Sequence, residues 1–168
     1  MDISLESGVG EQLKTAFRRH PAGLAVITAQ GPDRPVGLTA SSVTSVSVTP
    51  PALSFSLGGT PTARALAAAP SFVVHLLGPR HTELAREFSR VGGPRFTPEQ
   101  GWSRLPTGEP VLSGAAAALR CAPLQLVPVG ESTVVVASVS EVYLGSAGGR
   151  LVYHDRTFVS LPAPGHRH

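Results

Sequence analysis

The sequence predicts a mainly β protein, an antiparallel barrel carrying a few short helices. Two observations lead there. First, the stretch Val36 to Thr49 alternates. Val36, Leu38, Ala40, Val46 and Val48 are apolar or small, whereas Thr39, Ser41, Ser45, Ser47 and Thr49 carry hydroxyls, the period of a strand with one face in a core. Second, the chain divides into seven short strand-like runs punctuated by Pro, Gly and Ser, with only three marginal helical patterns among them.

Taken in order, residues 1 to 10 are polar and Gly-containing and read as a loose, flexible arm. Glu11 to Arg19 place Leu13, Ala16 and Phe17 at helical spacing, and Pro21 stops that helix at His20. Leu24 to Ala29 is a strand, Gln30 to Pro35 a turn, and Val36 to Thr49 the next strand. In that strand Ser42 and Thr44 fall in the apolar phase and Val43 in the polar one, which predicts a bend or bulge. Pro50-Pro51 ends it, and Ala52 to Leu57 is a third strand.

Thr60 can cap a helix whose first turn accepts Pro61. That helix start offers free backbone N–H groups, the Thr62 hydroxyl and the Arg64 guanidinium, either as a phosphate cradle or as a plain capped helix with a solvated arginine. Phe72 to Leu77 is a fourth strand, and its His75 reads as a satisfied core histidine rather than an acid–base group. Thr82 to Arg90 is a short helix with Leu84, Ala85 and Phe88 on one face. Val91 to Gly114 is Gly- and Pro-rich and holds Phe96 and Trp102; so long a loop is expected to fold over a site or a partner subunit. Ala117 to Val129, Thr133 to Leu144 and Leu151 to Leu161 complete the strands.

Composition excludes several classes. A chain of 168 residues with 42% hydrophobic and 15% charged residues encloses one ordinary core, and its low charge predicts apolar surface buried in an oligomer. The single Cys121 allows no internal disulfide and no thiolate pair for zinc. The net charge of +3 comes from scattered arginines without a basic run, which argues against nucleic acid while leaving a field that favours phosphorylated ligands. No apolar run reaches the ~18 residues of a membrane span, and the first residues lack signal-peptide character, so a cytoplasmic protein is expected.

Familiar catalytic motifs are missing too. There is no P-loop, and Gly8-Val9-Gly10 lacks the third glycine of a dinucleotide-binding turn. No His or Cys pairing suggests a metal, and Ser41 and Ser42 lack a nucleophile elbow.

The segment Pro35 to Pro51, P-V-G-x-T-A-S-S-x-T-S-V-S-x-x-P-P, resembles the signature of the flavin reductase-like family, short-chain NAD(P)H:flavin oxidoreductases. Phe17 to Gly23 resembles that family's "FRRFPSGV", Leu84 to Phe88 its "LARRF" and Leu151 to His154 its "LLYH", so the likeness runs from about residue 14 to 161. It implies an FMN-binding split β-barrel, antiparallel and Greek-key-like, over residues 11–161, with a flexible tail at 162–168. It implies FMN or FAD as cofactor and NADH or NADPH as hydride donor. Thr39, Ala40, Ser41 and Ser42 would serve the flavin pyrimidine and ribityl chain, and Thr60, Thr62 and Arg64 its phosphate. Ser56, Leu57, Gly58, His75, Phe88 and Phe96 complete the implied cofactor site, and His154 is the implied catalytic residue beside the nicotinamide.

The family further implies a homodimer and a flavin-dependent monooxygenase as partner. Two departures fall on the nicotinamide side: Asp155-Arg156-Thr157-Phe158 replaces the usual x-Gly-x-Tyr, and Gly130-Glu131-Ser132 replaces Gly-Asp-His. The alternatives they leave open are a flavin-binding barrel without fast reductase activity, a carrier or oxidase-like relative, and an interaction barrel that binds no flavin.

Overall fold

The computed structural model describes residues 3–146 and 148–165. Helix α1 (Ile3–Arg18) leads into β1 (Ala22–Gly23), β2 (Ala25–Gln30), β3 (Pro35–Ala40), β4 (Thr44–Val48) and β5 (Pro51–Leu57). Helix α2 (Pro61–Ala68), β6 (Phe72–Leu76) and α3 (Thr82–Ser89) follow. The short hairpin β7 (Trp102–Arg104) and β8 (Pro110–Leu112) precedes the long strands β9 (Ala117–Val129) and β10 (Ser132–Leu144), and β11 (Arg150–His154) and β12 (Thr157–Leu161) close the chain.

Seven strands form one antiparallel sheet in the order β3-β2-β6-β9-β10-β5-β4. The strands at its two ends, β3 and β4, are neighbours in sequence, joined only by Ser41, Ser42 and Val43. So short a link between opposite edges requires the sheet to curl on itself, which is how the barrel closes. Ser42 fastens the closure: its hydroxyl accepts a hydrogen bond from the Ser56 N–H at 3.0 Å. The bend anticipated at Ser42 to Thr44 is therefore the corner between two edge strands rather than a bulge within one.

Alternation along β2 and β6 sends side chains to two cores. Ala25, Ile27, Ala29, Phe72 and Val74 join Leu53, Phe55, Leu57 and Val135 inside the barrel. On the opposite face Leu24, Val26 and Leu77 pack with Leu84, Ala85 and Phe88 of α3, and with Leu112 and Leu151. Both faces are covered, which is why these strands read as unbroken apolar runs.

Three expectations need correction. The helix expected from Glu11 starts at Ile3, through most of the stretch read as a loose arm, because no proline interrupts it and extending a helix costs less than starting one. Its Leu13 and Phe17 are exposed. The single strand expected over Leu151 to Leu161 is the hairpin β11–β12, which pairs with β1 in a separate three-stranded sheet. Asp155 and Arg156 make its turn with φ of 51° and 61°, conformations usually left to glycine, so the turn carries no Gly or Pro to mark it. Residues 162–165 are irregular, and the rest of the expected tail lies outside the described residues, as do Met1 and Asp2. No helix of the described residues is long and apolar enough to cross a membrane.

Candidate active site

A cavity of about 910 Å³ lies along the β3 edge of the sheet. An edge strand leaves alternate backbone groups without ladder partners. On β3 one of them is the Gly37 carbonyl, which accepts from Arg95 Nε at 3.0 Å. Every second residue from there is Thr39 and Ser41, and the whole run from Arg34 to Ser42 lines the cavity. The Thr39 hydroxyl donates to the Ala85 carbonyl of α3 at 2.7 Å, fixing the helix against the strand.

The next wall is the turn after β5. Ser56, Leu57 and Gly58 lead to Thr60, which caps α2 by accepting from the Ala63 N–H at 3.2 Å. Thr60, Pro61, Thr62 and Ala63 thereby turn the amide-rich start of an eight-residue helix toward the cavity. The facing wall runs from Phe88 and Ser89 through Arg90, Val91, Gly92 and Gly93 to Arg95 and Phe96. Phe88 and Phe96 meet edge to face with centroids 5.3 Å apart, and Trp102 backs Phe96 at 4.9 Å. Among the described residues the lining includes three arginines, Arg34, Arg90 and Arg95, and neither Asp nor Glu. Such a site favours an anionic ligand with a flat apolar part.

Thr39, Ala40, Ser41, Ser42, Ser56, Leu57, Gly58, Thr60, Thr62, Phe88 and Phe96 all line the one cavity. Two implied cofactor contacts do not. Arg64 is exposed on α2 and points off the lining, because it sits one turn in from the helix start.

His75 is fully buried, and both ring nitrogens are occupied by backbone. The Leu112 N–H donates to Nε2 at 3.0 Å, so Nδ1 carries the proton and donates to the Val26 carbonyl at 2.9 Å. Desolvation lowers its pKa to about 4, opposed by the bond to Val26 and assisted by His81, so the ring is neutral and structural. His75 is thus a satisfied core histidine and lies off the cavity wall.

His154 is exposed near the tip of β11–β12 and is not part of the cavity wall. That hairpin nevertheless leans on α3: Phe158 packs on Tyr153, and the Arg86 guanidinium lies 5.3 Å over the Phe158 ring.

The sequence reading missed Arg34, Arg90, Arg95 and the glycines of the Val91–Gly93 turn. Gly92 and Gly93 were the available signal, since paired glycines permit a backbone wall close to a ligand.

A cavity of this size, bounded by edge amides, a capped helix start, an aromatic pair and arginines, fits a flavin nucleotide. The comparisons agree. The family described as flavin reductase like domain matches residues 17–162. The NADH:FMN oxidoreductase of Rhodococcus qingshengii is 44% identical over 147 residues, covering 84% of this chain and 77% of that protein. The reductase component of the FADH(2)-dependent resorcinol hydroxylase of a Rhizobium species is 32% identical over 162 residues, covering 94% and 90%. Among solved structures, the NADH:FAD oxidoreductase of Streptomyces globisporus in complex with NAD and FAD fragments superposes with a TM-score of 0.83 at 30% identity, covering 93% and 94%. The chain belongs to the flavin reductase like domain family, and it is an NAD(P)H:flavin oxidoreductase built on an antiparallel split barrel.

Proposed function

We propose that this chain uses NADH to reduce FMN in the β3 cavity, accepts FAD there as well, and passes the reduced flavin to a separate monooxygenase. The observation that carries the site is the convergence of the β3 edge, the α2 start and the Phe88–Phe96 pair on one cavity. Bound flavin supplies the hydride acceptor and electron carrier. The chain's own part is orientation. Backbone amides around Thr39 to Ser42 and the Ser41 and Ser42 hydroxyls serve the polar edge of the ring, where reduction builds negative charge. Thr60, Thr62 and the first amides of α2 serve the phosphate. NADH and FMN are chosen because the Rhodococcus relative is named for that pair, and the monooxygenase because the Rhizobium relative is the reductase component of a hydroxylase.

His154 is proposed to position the nicotinamide from the β11–β12 hairpin, which Arg86 and Phe158 couple to α3 and so to Phe88. A homodimer belongs to the same proposal. Val46 and Val48 on edge strand β4, Leu124, Leu126 and Val129 on β9, and Leu144 on β10 are exposed, apolar surface that a second copy would cover.

The test is titration of the purified protein with FMN and FAD, followed by NADH and NADPH oxidation with each flavin. Flavin-dependent NADH oxidation that His154→Ala slows is the expected result. Tight flavin binding without turnover would instead indicate a carrier, with the loss traced to the Asp155-Arg156 turn.

A further inference from the structure

We propose that Arg95 is a positioning residue for the flavin, a clamp that holds the Phe88–Phe96 wall in shape rather than a ligand for the flavin phosphate; the proposal rests on the flavin reading of the cavity. An arginine on the wall of a phosphate-binding cavity invites the other role. Its hydrogen bonds point elsewhere. Nε donates to the Gly37 carbonyl at 3.0 Å. Nη1 donates to the carbonyls of Glu87 at 3.1 Å and Gly93 at 2.9 Å. Nη2 donates to those of Phe88 at 3.1 Å and Arg90 at 3.0 Å. A guanidinium has five N–H donors, and all five are spent on backbone.

The five acceptors belong to three separate pieces of chain. Glu87, Phe88 and Arg90 present carbonyls at the end of α3, that of Arg90 also accepting from the Gly93 N–H at 3.2 Å; Gly93 belongs to the turn that follows, and Gly37 lies on β3. One planar group therefore ties helix end, turn and sheet edge together, and it lies 5.1 Å over the Phe88 ring besides.

The wall it holds is not relaxed. Phe96, the next residue, has φ of 57°, an outlier for an aromatic side chain that persists only where its surroundings impose it. Gly93 is equally constrained, since a Cβ there would come within 2.2 Å of the Glu87 carbonyl oxygen.

A second tether acts from the far side. Gln100 Nε2 donates to the Glu87 carboxylate at 2.7 Å and to the Pro94 carbonyl at 3.1 Å, while its Oε1 accepts from Trp102 Nε1 at 2.9 Å. Strain held by this many bonds marks a surface preformed for its ligand, and preformation is worth affinity because ordering is not charged to binding.

The two roles separate with riboflavin, which has the flavin ring and no phosphate. Arg95→Lys keeps the charge but offers three donors without the planar fork, so it cannot reach the same carbonyls. The clamp predicts that Arg95→Lys weakens FMN and riboflavin by the same factor, about tenfold. It also predicts a shifted and more quenchable emission from Trp102, the protein's one tryptophan, with far-UV circular dichroism unchanged. Gln100→Leu, which cuts the second tether and leaves Arg95 in place, should reproduce both effects in weaker form, and serves if Arg95→Lys fails to fold.

Loss of FMN affinity with riboflavin unaffected would make Arg95 a phosphate ligand and overturn the proposal. Wild-type affinity for both flavins in both variants would overturn it too. Failure of the wild-type protein to bind any flavin is a distinct result, and it would overturn the reading of the cavity itself.

Discussion

The Phe88 ring lies directly over Gly37: a methyl group at position 37 would meet Phe88 Cε1 at 2.7 Å and the Ile27 carbonyl oxygen at 3.2 Å. This contact lets α3 approach β3 and sets the depth of the cavity between them. Gly37→Ala cannot be relieved on the strand side, where the neighbour is backbone, so the ring must move. The expected outcome is a loss of about 1–3 kcal/mol in stability together with weaker flavin binding. Thermal unfolding and a flavin titration of the same variant check it; wild-type values in both would show that Phe88 does not set the cavity.

His75 makes the fold sensitive to acid. Its folded pKa, lowered by burial to about 4, lies below the unfolded value of 6.5, so the unfolded state takes up the proton first. Its contribution is complete above about pH 6.5 and is lost as the pH falls toward 4, about 3 kcal/mol across that window. Denaturant unfolding at stepped pH should show the decline, and His75→Asn should flatten it while lowering stability at neutral pH. An unchanged slope in the variant would assign the acid sensitivity to other groups.

Glu109 and Arg120 should respond unequally to mutation. The Glu109 side chain is 2% exposed and its carboxylate accepts from Arg120 Nε at 3.0 Å, from Ser71 Oγ at 2.5 Å and from the Thr107 hydroxyl, whereas Arg120 retains 22% exposure. Burial pushes the carboxyl pKa up. The hydroxyls of Ser71 and Thr107, the residue's own backbone N–H and Arg120 together outweigh it, so the pKa ends below the usual range. Removing Arg120 strands a buried anion, and Arg120→Met should cost about 3 kcal/mol. Glu109→Gln leaves a cation that water can reach, so it should cost less. Paired denaturant curves decide the order.

Arg156 offers a stabilising change. It sits at φ of 61° in the turn between β11 and β12, where a side chain costs about 1–2 kcal/mol and glycine costs little. Glycine's greater freedom in the unfolded chain offsets part of that gain. Arg156→Gly should therefore raise stability by about 0.5–1 kcal/mol. A melting temperature unchanged or lowered would mean that the arginine side chain makes compensating contacts.

What was legible in the sequence follows from range. The strands expected at 52–57, 72–77, 117–129 and 133–144, which the structure places at Pro51–Leu57, Phe72–Leu76, Ala117–Val129 and Ser132–Leu144, were visible because short apolar runs and Pro or Gly boundaries are local signals. The hydroxyl-rich stretch, the Thr60 cap and the Phe88 helix face were visible for the same reason, and together they supply most of the cavity wall. Hairpin β7–β8 was missed because three-residue strands leave no period to read. The β11–β12 turn was hidden because Asp155 and Arg156 hold a glycine conformation without glycine. Arg95 was invisible for a deeper reason. Nothing in residues 90 to 96 announces that one guanidinium will meet carbonyls from a helix, a turn and a strand, since that depends on how the pieces pack.

The strand order of the barrel also bears on how the chain reaches this state. Ala52 pairs with Ser138 and Phe72 with Cys121, partners far apart in sequence, so many of the stabilising ladders require large loops to close first. Assembly of such a topology is slow, on the order of milliseconds to seconds. The cavity takes shape only when Ser56 reaches Ser42 and α3 docks on β3, contacts that also join pieces apart in sequence. A flavin that binds this cavity has little to hold before then. It should leave the refolding rate nearly unchanged and act on the native state's lifetime, slowing unfolding in proportion to its saturation.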